Sequence, residues 1–238
     1  MIKSKTWKMD EPYTDSLNNP KVNKTRGIKY AILEQVIKDN LKDGDNIIEL
    51  FAGAGINTGF VLEYCKPGSL YLADISEDCY KVLLDKFFKI KNVTIYQGNS
   101  FEIFPDMEDC DFLFLDSAFK FSVKDRFETL FKYLSELNND KIKICFTESE
   151  TYKFTFIKKE LVAEKRQAHF NKLINMFQNM GWYTEKLYYC SSNAYLVLIH
   201  NEENFGEDGE VQETEFIEYT KGSDKWCKYA YGETKNLI

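Results

Sequence analysis

The chain has 238 residues, 44% of them hydrophobic and 16% aromatic, enough to bury one sizeable core with extensions at its ends. Its formal net charge of −7 and pI of about 5.1 exclude the strongly basic footprint of a non-specific nucleic-acid binder, so any contact with phosphates has to be local. No apolar run approaches the roughly 20 residues that span a bilayer, and the first residues form no apolar signal segment, so a cytoplasmic protein without a membrane partner is expected.

In chain order, Ile28, Ile32, Val36 and Ile37 share one face of a predicted helix over 27–41, and Gly44 follows as a stop. An apolar strand over 46–51 breaks at Gly53-Ala54-Gly55 into a helix near 56–65. A second strand over 69–75 leads to a helix over 77–90, with Tyr80, Leu83, Leu84 and Phe87 at i, i+3, i+4 and i+7. Strand three is expected at 93–96 and strand four at 111–116. A helix over 124–137 carries Phe127, Leu130, Phe131, Leu134 and Leu137 on its buried stripe. Strand five at 142–147 precedes a long helix over 164–180 that presents Phe170, Leu173, Ile174 and Phe177 and stops at Gly181. Two aromatic, β-rich runs, 183–190 and 195–200, are close enough to pair as a hairpin. The alternation predicts an α/β fold, a doubly wound, mostly parallel sheet closed by an antiparallel C-terminal edge hairpin.

Charge and cysteine usage refine the organisation. Residues 1–30 hold seven Lys or Arg against three acids, whereas 201–220 hold eight acids and no base. The expected division is an N-terminal extension over 1–26, one domain over 27–200 and an acidic extension over 201–238. Six cysteines (65, 79, 110, 145, 190, 227) form no C-x-x-C pair and read as reduced core thiols rather than zinc ligands. His169 and His200 lack partners at metal or triad spacing, and no metal is expected.

The chemistry concentrates at the strand ends. Glycines at 53 and 55 let the backbone approach a ligand, and Asp74 closes the next strand about twenty residues later, where a doubly wound sheet places a carboxylate on ribose hydroxyls. The spacing Gly53, Gly55, Gly59 departs from the G-x-G-x-x-G of dinucleotide sites, and there is no P-loop run. Glu49, Asp74, Asn99, Asp116 and the residues after Thr147 should line one crevice beyond the strand ends. Segments 117–123 and 148–163 are its candidate walls. They offer Phe119, Lys120 and Phe121, then Glu148, Glu150, Tyr152, Lys153, Phe154 and Phe156. Aromatics mixed with lysines suit stacking on a base and holding a phosphate, and they suit a lid over the core equally well.

Over about residues 21–200 the chain resembles the class I S-adenosylmethionine-dependent methyltransferases. Glu49 through Gly55 is similar to their first motif, Asp74 to the ribose-binding acid, Gly98-Asn99 to the adenine-contacting turn and Asp111 through Phe119 to the catalytic motif. The resemblance implies a seven-stranded sheet and S-adenosyl-L-methionine as cofactor, bound by Glu49, Phe51, Ala52, Gly53, Gly55, Asp74, Ile75, Asn99, Ser100 and Asp116. Asp116-Ser117-Ala118-Phe119 is similar to the D-P-P-Y/F motif of nucleic-acid amino-methyltransferases, with both prolines missing. It implies that Asp116 orients an exocyclic amine and Phe119 stacks on the base, with Lys120, Glu148 and Tyr152 as further substrate contacts. Asn23 through Leu33 is similar in layout to the helix that precedes the first motif in rRNA guanine-N2 methyltransferases.

Other transfers are disfavoured. The four prolines are followed by Tyr, Lys, Gly and Asp, so the Pro-Cys nucleophile of cytosine-C5 methylation is absent. Strand five ends in Cys145-Phe146-Thr147, without the lysine expected of ribose 2′-O-methylation. The expected activity is N-methylation of a base in DNA or RNA. The alternatives are a small-molecule or protein N-methyltransferase, or a binding protein that keeps the fold without catalysis.

Overall fold

The computed structural model describes residues 20–99, 109–115, 141–148, 159–190, 194–200 and 213–218, the side chains of 20–29, 148 and 159–163 excepted. Helix α1 (Pro20–Asn40) precedes β1 (Asn46–Leu50), α2 (Ile56–Tyr64), β2 (Ser69–Asp74), α3 (Glu77–Phe87) and β3 (Val93–Gln97). Then come β4 (Phe112–Leu115), β5 (Lys143–Glu148), α4 (Lys159–Gln178), β6 (Trp182–Tyr189), β7 (Ala194–His200) and β8 (Glu215–Glu218). The helix expected over 124–137 lies outside the described residues.

The strands form one sheet in the order β3-β2-β1-β4-β5-β7-β6-β8. β1 pairs in parallel with β2 and β4, β2 with β3, and β4 with β5, while β7 inserts antiparallel between β5 and β6. The expected doubly wound, mostly parallel sheet with its antiparallel C-terminal hairpin is therefore present. It also carries an eighth strand, β8, parallel to β6 and drawn from the segment expected to be an acidic extension. Helix α1 starts at Pro20 rather than 27. A proline is well suited to a first turn, where its missing N–H has no helical acceptor to lose.

Side chains alternate between two cores, as the period of a strand requires. Ile47, Leu70, Leu72, Phe112 and Phe114 point into one core, which they share with Ile32, Leu33, Val36 and Ile37 of α1, Phe60 and Val61 of α2 and Leu83 and Phe87 of α3. Ile48, Leu50, Leu113, Leu115 and Phe146 point into the opposite core, to which α4 contributes Phe170, Leu173, Ile174 and Phe177. Phe146 and Phe177 meet edge-on at 5.2 Å between ring centroids. Each such fully buried side chain contributes about 1.5–3 kcal/mol relative to exposure. Two partnered faces hold the central strands rigidly, so their C-terminal ends form a fixed platform. Tyr188 ties α1 to the hairpin by donating to Asp39 Oδ2 at 3.0 Å and accepting from Asn40 Nδ2 at 3.3 Å. The five described cysteines are thiols outside any disulfide, four of them buried. No described helix is long and apolar enough to cross a membrane.

Candidate active site

Because β1 to β5 run the same way, their C-terminal ends emerge along one edge, and the strand order reverses between β1 and β4. Such a reversal opens a crevice at that edge. The register is close: Leu50 is level with Ala73 and Leu115, Leu115 with Phe146, and Asp74 with Gln97.

Beyond Leu50 the backbone turns sharply. Phe51, Gly53 and Gly55 have φ of 61°, 56° and 75°, three left-handed residues within five. For Phe51 this conformation costs roughly 1–2 kcal/mol, and strain of that kind collects where a backbone is held for a ligand. The turn is fastened from Ala52 to Gly55. Ala52 N–H donates to Ala73 O at 3.1 Å, Gly53 N–H to Asp74 Oδ2 at 2.8 Å and Gly55 N–H to Ala52 O at 2.9 Å. Lys86 Nζ reaches across from α3 to Ala54 O at 3.1 Å.

The two glycines serve different purposes. Among the described residues a Cβ on Gly53 would meet only Phe51 O, at 4.0 Å, so none of them fills the space above it. A Cβ on Gly55 would lie 2.4 Å from Phe87 Cε2 and 2.9 Å from Leu83 Cδ2, so this glycine lets α3 pack on the turn. The ligand approach expected of both glycines is thus available at Gly53, whereas packing against α3 accounts for Gly55.

Asp74 is the hub of the edge. Oδ2 accepts from Gly53 N–H and Oδ1 from Ser76 N–H, each at 2.8 Å, and its carbonyl accepts from Gly98 N–H at 3.0 Å. One residue thus fixes the loops after β1, β2 and β3. Each carboxylate oxygen still has a lone pair for a further donor such as a sugar hydroxyl. The next residue, Ile75, is 68% exposed, an apolar side chain left on the rim where a flat ring could lie. Asn99, two residues beyond β3, is half-buried.

Glu49 is enclosed, at 1% exposure, and its Oε2 accepts the Thr58 hydroxyl at 2.6 Å, which clamps the first turn of α2 to β1. α2 begins at Gly55 with no side-chain cap on its amides, and Asn57 is buried without a hydrogen-bond partner for either amide atom among the described residues. The structure therefore brings together Glu49, Phe51, Ala52, Gly53, Gly55, Asp74, Ile75 and Asn99. Ser100, Asp116, Phe119, Lys120, Tyr152 and the Glu148 side chain lie outside the described residues. Sequence reasoning missed Thr58, Ser76 and Lys86. Ser76 before Glu77-Asp78 carries a helix N-cap signature, and its Oγ does accept from Cys79 N–H at 3.3 Å. No spacing rule marks Thr58 or Lys86.

No protein-family model and no curated protein sequence matches the chain. Solved structures do. A SAM-dependent methyltransferase from Aquifex aeolicus is similar with a TM-score of 0.54 at 16% identity, covering 76% of this chain and 98% of its own. The methyltransferase domain of bacterial CtHen1-C gives 0.54 at 13% identity, over 75% of this chain and 98% of that one. DhpI, solved as a complex with SAM and HEP, gives 0.53 at 16% identity, over 79% and 88%. At these identities the likeness establishes the fold: this is the Rossmann-like α/β fold of class I S-adenosylmethionine-dependent methyltransferases.

Proposed function

We propose that the chain is an S-adenosylmethionine-dependent methyltransferase that methylates an exocyclic amine of a nucleic-acid base. The carrying observation is the Asp74–Gly53 junction, a carboxylate with spare lone pairs beside an open glycine backbone and the exposed Ile75. These residues fit the cofactor: Asp74 would accept its ribose hydroxyls, Ile75 cover its adenine, and the Gly53 backbone lie against its amino-acid end. Bound there, the cofactor supplies a methyl group on a sulfonium. Transfer requires an acceptor held in line with that group and its amine hydrogens taken up by oxygen acceptors. Asp116, following β4 at the strand-order reversal, is assigned that acceptor role, and Phe119 the stacking surface for the base. The Asp116-Ser117-Ala118-Phe119 motif supports the choice of a base amine.

One observation favours a second reading, a compact small-molecule acceptor. The far end of the sheet is closed by β8, whose exposed Glu215 and Glu218 oppose a long phosphate backbone. A tritium-transfer assay from labelled cofactor into nucleic-acid, protein and metabolite pools tests the proposal. Label in nucleic acid alone supports it. Label confined to metabolites selects the second reading, and cofactor binding without transfer into any pool indicates a binding protein.

A further inference from the structure

The crevice edge continues beyond β5 in one row of paired residues, Glu148, Ala194, Tyr189 and Glu218, on β5, β7, β6 and β8. β6 and β8 run in the same direction as β5, so Tyr189 and Glu218 emerge at the edge that also carries Asp74. Helix α4 meets this row at Tyr189 and Glu218. Phe170 meets the Tyr189 ring edge-on at 5.2 Å, and Arg166, one turn earlier on α4, sets its guanidinium carbon 5.8 Å from the centroid of the same ring.

Arg166 is poorly neutralised for a charge so enclosed. Its side chain is only 15% exposed, and Nη1 reaches Glu218 Oε1 at 3.5 Å, the outer limit of a hydrogen bond, from a carboxylate that is itself half exposed. Nε is buried and has no hydrogen-bond partner among the described residues. A guanidinium carries five N–H donors in a rigid fork, and its Nε–Nη2 edge is one that carboxylates and phosphates grip in bidentate fashion. The Tyr189 ring holds the guanidinium within cation–π range, and a loose ion pair with Glu218 is easily exchanged.

We propose that Arg166, seated on Tyr189, is an anion-binding subsite that takes a phosphate or carboxylate group of the methyl acceptor in place of Glu218. The inference rests on the reading of this edge as the acceptor side of a methyltransferase. From β4, where transfer is assigned, to β6 is three strand spacings, roughly 14 Å. The acceptor therefore carries its anionic group well away from the reacting amine, as the phosphate of a neighbouring nucleotide or of an extended phosphorylated metabolite would be.

The test is a titration of ¹⁵N-arginine-labelled full-length protein at constant ionic strength, following the Nε–Hε resonance of Arg166, assigned by its loss in Arg166→Lys. The probes are inorganic phosphate, adenosine 5′-monophosphate and a single-stranded hexanucleotide. A saturable shift is expected, with a midpoint at least threefold lower in Glu218→Gln, a mild change at a half-exposed position. Tightest binding by the hexanucleotide marks a polynucleotide acceptor, and tightest binding by the mononucleotide a small phosphorylated one. A shift that never saturates, that chloride reproduces, or that weakens in Glu218→Gln overturns the proposal. Calorimetric titration of S-adenosylhomocysteine into wild type and Arg166→Gln keeps the two readings apart. Unchanged affinity in the variant is expected, whereas no binding to either protein defeats the methyltransferase reading and leaves the phosphate result to stand alone.

Discussion

Asp74 and Gly53, twenty-one residues apart, are joined by a hydrogen bond of 2.8 Å from the Gly53 N–H to Oδ2, which ties the end of β2 to the turn after β1. The bond is charge-assisted, and such bonds contribute about 1.5–3 kcal/mol, or roughly 10- to 150-fold in an equilibrium. Asp74→Asn keeps one acceptor oxygen and turns an amide N–H₂ toward either Gly53 or Ser76, so cofactor affinity should fall by at least about tenfold while the chain stays folded. Comparing S-adenosylhomocysteine with its 2′-deoxy counterpart separates two roles for the acid. If Asp74 also holds the ribose, the variant loses its preference for the hydroxylated ligand. Equal weakening of both ligands would restrict Asp74 to positioning the turn.

The contrast between Gly53 and Gly55 gives a paired prediction. Gly55→Ala places a methyl group 2.4 Å from the Phe87 ring at φ 75°, combining overpacking of about 1–3 kcal/mol with a left-handed penalty of roughly 1–2 kcal/mol. Its melting temperature should drop by about 5–15 °C for a chain of this size. Gly53→Val escapes the overpacking, since its Cβ meets only Phe51 O at 4.0 Å among the described residues, and carries the left-handed cost alone at φ 56°, so it should lose less stability than a variant burdened with both and should lose cofactor binding. Thermal melts and calorimetry on the two variants check this. A Gly53→Val protein that binds S-adenosylhomocysteine normally would remove the turn from the cofactor site.

The sequence made the strands and the glycine turn legible because both leave local patterns: apolar runs of strand length, a helical stripe at i, i+3 and i+4, and an acid at the fitting distance from the glycines. What escaped it depends on contacts remote along the chain. Gly55 is a glycine because Phe87, thirty-two residues later, occupies its Cβ space. Glu49 is held by Thr58 across a turn of no fixed length. β8 is four residues with an exposed, acidic pattern, and only its pairing with β6 makes Glu215–Glu218 a strand. Arg166 carries no mark in the sequence, because only the sheet places Tyr189 and Glu218 beside it.

The buried thiols predict how stability responds to alkali. Burial, aided by the charge of Asp111, pushes the Cys110 thiol up to about 12. Burial together with Asp45 and Asp43 pushes Cys65 up to about 11. An unfolded cysteine titrates near 8.5, so at pH 9–11 the unfolded chain has released protons that the folded chain retains. The slope of unfolding free energy with pH is then negative. The contribution is complete below about pH 8.5 and is lost as pH rises toward the folded values, at about 1.4 kcal/mol per pH unit for the enclosed Cys110. Urea midpoints at pH 7, 9 and 10.5 should fall for wild type and fall less steeply for Cys110→Ala. Parallel curves for the two proteins would show that this thiol does not titrate with folding.

The acceptor itself is decided at Asp116 and Phe119. If the Asp116 carboxylate orients an amine, Asp116→Ala should lower turnover by about two or more orders of magnitude and leave cofactor affinity within a fewfold, with Asp116→Asn retaining some activity through its remaining oxygen. If Phe119 stacks on a single-stranded or extruded base, Phe119→Ala should remove roughly 1–3 kcal/mol of acceptor binding. Phe119→Tyr or Phe119→Trp should then restore most of it, because every base presents a π-face. Binding should also weaken as salt rises, since Lys120, Lys124, Arg126 and the basic residues 1–30 would release counterions from phosphates. A small-molecule enzyme behaves otherwise, with little salt dependence and no affinity for any oligonucleotide. Fluorescence-anisotropy titrations with short single- and double-stranded DNA and RNA at two salt concentrations discriminate between them. Failure to bind any of the four at low salt, where phosphate contacts are strongest, would assign the crevice to a compact acceptor.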